Sequence, residues 1–152
     1  MIKFSILLIS FLCFNSSINT TVIDDVRVVY HQLASDKNLC NELINSLEKT
    51  KNNSATHLAY LGSLQAIRAN HVMNPINKLS TFNKGKRNIE MAIKMEPNNA
   101  EIRFIRLSIQ KNIPAVLGYK SNIKEDLEFV KKNQHQISSP VLLKNVELIL
   151  KE

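Results

Sequence analysis

Apolar residues recur three and four positions apart along this chain, and strict apolar and polar alternation is nowhere sustained. The first spacing lays a stripe along one face of an α-helix, whereas a half-buried strand needs the second, so the chain reads as all-α. Breakers are scarce, with only 3 glycines and 4 prolines. Helix starts are therefore set by capping signals. Asn74-Pro75 and Ser139-Pro140 each place a capping side chain before a proline at the first helical position, where the missing N–H leaves no bond unmade. Asn98 with Glu101, and Asn122 with Glu125, have the three-residue spacing of a capping box, in which each side chain satisfies the other residue's free amide. These fences predict about seven helices, at roughly 23–34, 37–50, 55–71, 75–96, 99–111, 122–132 and 140–151. The links are short, which forces neighbours to run antiparallel, so the expected architecture is a stack of helical hairpins.

The N-terminus reads differently. Met1-Ile2-Lys3 is a short basic start, and Phe4 to Phe14 is apolar apart from Ser5 and Ser10. An apolar run of roughly ten residues is half of what a spanning helix needs, and polar Asn15-Ser16-Ser17 follows at once. We expect a signal peptide over 1–17, a single helical domain over 18–152, and an exported product, periplasmic or secreted, without a stable transmembrane anchor. Cys13 closes the apolar run as a lipoprotein cysteine would, but Leu12 stands where a lipobox has a small residue, so lipid anchoring is not expected.

Removing the leader takes away Lys3 and Cys13, lowering the formal charge of +7 by one and leaving Cys40 as the only cysteine. No intramolecular disulfide can then form, and packing alone must hold the fold. Cys40 reads as a small buried hydrophobe on a helix. The basic excess does not point to nucleic acid, because the lysines are spread out, Trp is absent, and few aromatics interleave with them. A solvated surface is the expectation, and no nucleic-acid partner.

The helix expected over 55–71 carries one formal charge, Arg68, in an otherwise lysine-rich chain, which makes it central. Ala59, Gly62, Ser63, Ala66 and Ala69 form a face of small side chains that lets another backbone approach, while Leu58, Tyr60, Leu61, Leu64 and Ile67 cover much of the other side. The pattern Leu58-x-x-Leu61-Gly62 resembles the first helix of a tetratricopeptide repeat. Gly85-x-x-x-Ile89-x-x-Ala92, followed by Pro97-Asn98-Asn99-Ala100-Glu101, is similar to its second helix and the turn into the next repeat. The resemblance covers one degenerate repeat, about residues 55–111, with a Gly62 to Gly85 distance some eleven residues longer than that family's. It implies a short tetratricopeptide-like array that binds a protein or peptide. The run Arg103 to Pro114, continued by Leu117-Gly118-Tyr119, also resembles short exported bacterial proteins of unassigned function, which implies no activity.

On the helix expected over 99–111, Ile102, Phe104, Ile105, Leu107 and Ile109 cover most of the circumference, leaving Arg103, Arg106 and Gln110 as one polar stripe. Arginines on a largely buried helix need partners. They offer either a fork for an anion or carboxylate, or internal ion pairs to Glu90 or Glu96. Tyr119, in the longest break between helices, either lines a groove or plugs the core.

Chemistry is otherwise absent from the pattern. His31, His57, His71 and His135 are scattered, and His57 and His71 lie about 20 Å apart along one helix, so no metal is expected. No nucleophile elbow or phosphate loop occurs, and the acidic pairs Asp24-Asp25 and Glu125-Asp126 suit the first turns of helices. We expect neither enzyme activity nor a cofactor. The leading expectation is a helical scaffold for a protein or peptide partner in the cell envelope, contacted by Arg68, Arg103, Arg106, Gln110 and Tyr119. The alternative is a small-molecule or lipid carrier, which a closed apolar interior exceeding about 300 Å³ would mark and a solid core would reject, and an envelope hydrolase stands third.

Overall fold

The structure, a computed structural model, describes residues 21–50 and 52–151; the expected leader over 1–17 and Cys13 lie outside them. Among the described residues the chain forms seven α-helices and no strand: α1 Val22–Val29, α2 Lys37–Lys49, α3 Ala55–Arg68, α4 Pro75–Met95, α5 Ala100–Asn112, α6 Ile123–Asn133 and α7 Pro140–Lys151. Short 3-10 turns prolong α1, α3 and α6, and a fourth, Ala115–Leu117, lies between α5 and α6.

Several starts follow the capping signals. Asn74 accepts from the amides of Ile76 and Asn77 ahead of Pro75, and Ser139 Oγ accepts from Leu142 N at 3.3 Å. Two expected boxes do not form. At α5 the cap is Asn99, one residue later than expected, with its side chain accepting from Glu101 N and Ile102 N. Glu101 cannot close a box, because its carboxylate is drawn into contacts with α1 and α3. At α6 Asn122 holds the cap position without capping, since its Oδ1 accepts from the Gln110 amide and the Ser121 hydroxyl instead. A box that the sequence reading passed over, Thr21 with Asp24, starts α1.

Packing centres on α3. Its partner α4 runs antiparallel to it, for Gly62 lies beside Asn88 and Ile89 while Ala66 lies beside Gly85. The two glycines meet back to back. A Cβ on Gly62 would come 2.7 Å from the Gly85 carbonyl oxygen, so only hydrogen at both positions permits this separation. On its other side α3 meets α2, also antiparallel: His57 Nε2 lies 3.1 Å from the Leu47 carbonyl, and the Cys40 thiol donates to the Leu64 carbonyl at 3.5 Å. α5 packs across α3, and α6 folds back on α5.

α7 then returns to the start of the chain. Leu142 and Val146 join Val26, Leu64 and Ile105 in the larger apolar core, and the Asn145 amide reaches the Arg27 carbonyl at 3.4 Å. Contact between α7 and α1 brings the two ends of the described chain together.

Candidate functional site

The polar stripe of α5 faces α6 and α4. Arg106 is 4 % exposed and forks onto Asp126, with Nε to Oδ2 at 2.6 Å and Nη2 to Oδ1 at 2.8 Å, while its Nη1 reaches Glu90 at 3.2 Å. Arg103 donates to Glu125 at 2.7 Å, to Asp126 at 2.8 Å and to the Pro97 carbonyl at 2.9 Å. Asp126 has no exposed surface, so its charge is tolerable only because two guanidiniums surround it. Burial, the largest single influence, would lower the Arg106 pKa, but the bond to Asp126 together with the charges of Asp126 and Glu90 outweighs it and the net shift is upward.

Tyr119 completes the cluster. Its ring stands edge-on to Phe82 at 6.2 Å, and its hydroxyl donates to Glu90 at 2.5 Å. Burial, then the Glu90 carboxylate, push the phenol pKa far above its ordinary value. Gly118, at φ 60°, makes the left-handed turn that drives Tyr119 inward, so the loop plugs the core instead of lining a groove. Gln110 donates weakly to Asn122 at 3.4 Å. Arg103, Arg106, Gln110 and Tyr119 thus lie in one region, arranged around carboxylates and amides of their own chain. Arg68 stands apart at the end of α3, where its charge acts on Cys40.

A second ion cluster had no forewarning in the sequence. Arg27 forks onto Glu101 with two bonds of 2.8 Å and reaches Asp24 at 2.6 Å, and the Tyr60 hydroxyl donates to the same Glu101 at 2.6 Å. The Glu101 bond, larger than the opposing effect of burial, holds the Arg27 pKa above its usual value. This cluster ties α1, α3 and α5 together.

An apolar concavity lies near the far ends of the same helices. A crevice of about 280 Å³ opens among Tyr30, Ile67 of α3, Phe104 and Ile109 of α5, and Leu148 and Ile149 of α7. No Asp, Glu, Lys or Arg lines it; its polar residues are His31, Ser108 and three asparagines, Asn70, Asn112 and Asn145. Tyr30 stacks edge-on against Tyr60 at 6.1 Å and tilts against Phe104 at 6.4 Å. Its hydroxyl is buried without a partner at hydrogen-bond geometry, and burial raises its pKa. No residue of this wall stands out in the sequence as a ligand contact, because each looks like ordinary core.

Cys40 is fully buried, and burial pushes its thiol up to about 11, which removes the thiolate a nucleophile requires. Among the described residues no cluster of three or more His, Cys, Asp or Glu could hold a metal ion, and no helix is long and apolar enough to cross a membrane. Comparison with protein-family models, with curated proteins and with solved structures gives no match for this chain.

Proposed function

We propose that this protein is a non-catalytic helical binding protein whose crevice between α3, α5 and α7 takes a small, uncharged, largely apolar molecule. The observation that carries the reading is the composition of the wall: apolar side chains from three helices, neutral polar groups, and no formal charge. A charged ligand entering there would lose hydration and find no counter-charge, whereas an apolar one loses nothing and removes its surface from water. At about 280 Å³ the space falls just short of the roughly 300 Å³ expected of a carrier, and it is an open crevice, which suits a compact molecule over a long chain.

The other expectation, a protein or peptide held by the α5 stripe, has less support, since Arg103, Arg106, Gln110 and Tyr119 are engaged within the chain. The close approach of Gly62 and Gly85 supports the tetratricopeptide-like reading of 55–111 as the scaffold on which the crevice is built. Export remains part of the proposal, resting on the apolar run Phe4 to Phe14.

Titration with the neutral fluorophore N-phenyl-1-naphthylamine tests the crevice. The wild-type chain should bind it saturably, and Leu148→Asp, which puts a charge on a half-exposed wall residue, should weaken binding at least about tenfold with an unchanged helical circular-dichroism spectrum. Equal binding by the variant would place the probe elsewhere and remove the proposal.

A further inference from the structure

The first turns of α4 project beyond everything that packs on them. Every residue from Met73 to Ser80 is exposed, including Met73 at 95 %, Ile76 at 78 % and Leu79 at 49 %. Burial on this helix begins only at Phe82. Against Phe82 lies Tyr119, and the Lys86 ammonium sits 4.8 Å over the Tyr119 ring, so the 113–121 loop lies against α4 just past its exposed first turns. That loop adds Val116, 90 % exposed. Leu79 lies one turn before Phe82, and Val116 three residues before Tyr119, at most about 11 Å along the chain. The two apolar tips therefore bracket one contact.

Cations outnumber acids on this end, where Glu48 of α2 pairs with Lys84. No Asp or Glu occurs between Glu48 and Glu90, nor between Glu101 and Glu125, whereas Lys78, Lys84, Lys86, Arg87, Lys120 and Lys124 fall within those stretches. The acid nearest the loop, Glu90, is held by Tyr119 and Arg106. Lys78 and Lys120 are exposed beside the apolar tips.

We infer that the projecting start of α4 and the 113–121 loop together form a surface that docks on anionic lipid membranes. Met73, Ile76, Leu79 and Val116 enter the interface between headgroup and acyl chain, and the lysines meet the lipid phosphates. A bilayer fits both halves of the pattern: it accepts aliphatic side chains without matched pockets, and its negative surface potential attracts lysine. Nucleic acid would meet the charge but leave the aliphatic tips unsatisfied, because they cannot stack on bases. This docking stands whether or not the crevice holds a ligand.

The chain has no tryptophan, so Leu79→Trp supplies a single reporter at the tip, and Val141→Trp supplies one on the exposed start of α7. The full-length variants are mixed with phosphatidylcholine vesicles with or without phosphatidylglycerol. Emission from Trp at 79 should shift to the blue and be quenched by brominated acyl chains only when phosphatidylglycerol is present, while Trp at 141 stays in water. Lys78→Gln and Lys120→Gln should each lower partitioning about fivefold, the effect of one cation at an anionic surface. A shift at 79 on phosphatidylcholine alone, no shift on either vesicle, equal shifts at both positions, or a shift that grows with protein concentration without lipid would each overturn the inference, the last by revealing self-association.

Discussion

Asp126 is the residue on which the α5 stripe depends. It looks unremarkable in sequence, since an acid in the first turn of a helix has a sufficient reason in the helix dipole whether it is exposed or buried. The sequence did indicate that Arg103 and Arg106 need partners, because the rest of their helix is apolar all round. It did not indicate which acids, and of the two considered only Glu90 is used. Arg106→Ala leaves a carboxylate with no exposed surface and one fewer cation, and should destabilise the fold by about 3–5 kcal/mol, seen as a lowered urea midpoint. The double change Arg106→Met with Asp126→Leu should recover much of that loss, because an apolar pair of similar volume needs no desolvation of charge. Removing the exposed Glu125 should cost at most about 1 kcal/mol. Should Arg106→Ala melt like the wild type, the cluster would be a surface feature and not part of the fold's support.

Among the elements, α3 and α4 show how far small residues determine packing. Gly62 in mid-helix costs about 1 kcal/mol relative to alanine, which already pointed to a close approach. The partner surface is Gly85, some eleven residues further along the sequence than a regular repeat would place it, and the antiparallel hairpin delivers it regardless. Gly85→Ala gains helix propensity, yet its Cβ would meet the Gly62 carbonyl oxygen and lie 2.6 Å from the Ala66 amide nitrogen, both backbone atoms. Backbone cannot rotate aside as a side chain can. The net effect should be a loss of about 1–3 kcal/mol in thermal unfolding, as for overpacked cores, and a stabilised variant would mean that the helices sit further apart. Caps are the counterpart at element ends. Asn98 and Asn99 are equally good capping residues, and the choice of Asn99 depends on where Glu101 is drawn, which is a tertiary matter.

For the whole molecule, burial of neutral acids gives a pH dependence with a definite sign. Cys40 is held up to about 11, and Tyr30, Tyr60 and Tyr119 are raised, each chiefly by burial. In the unfolded chain these groups ionise near their ordinary values of 9.0 and 10.0. Raised folded values mean that their contribution to stability is intact below about pH 9 and is lost as pH rises through and beyond that range. Melting temperature should therefore be level from neutral pH to about 9 and fall steeply toward 11, and a level profile across that window would show that these groups are reached by water. The same closure that buries them brings α7 onto α1 and leaves the crevice between them.

The helical class, the seven segments and most of their starts were fixed by the order of residues, because helix periodicity and caps are interactions between positions three or four apart. Which carboxylate meets which guanidinium, which asparagine caps, and where a crevice remains were decided only in three dimensions. The contacts between elements behind those outcomes join residues 12 to 118 positions apart, and their energies exist only once the helices have docked.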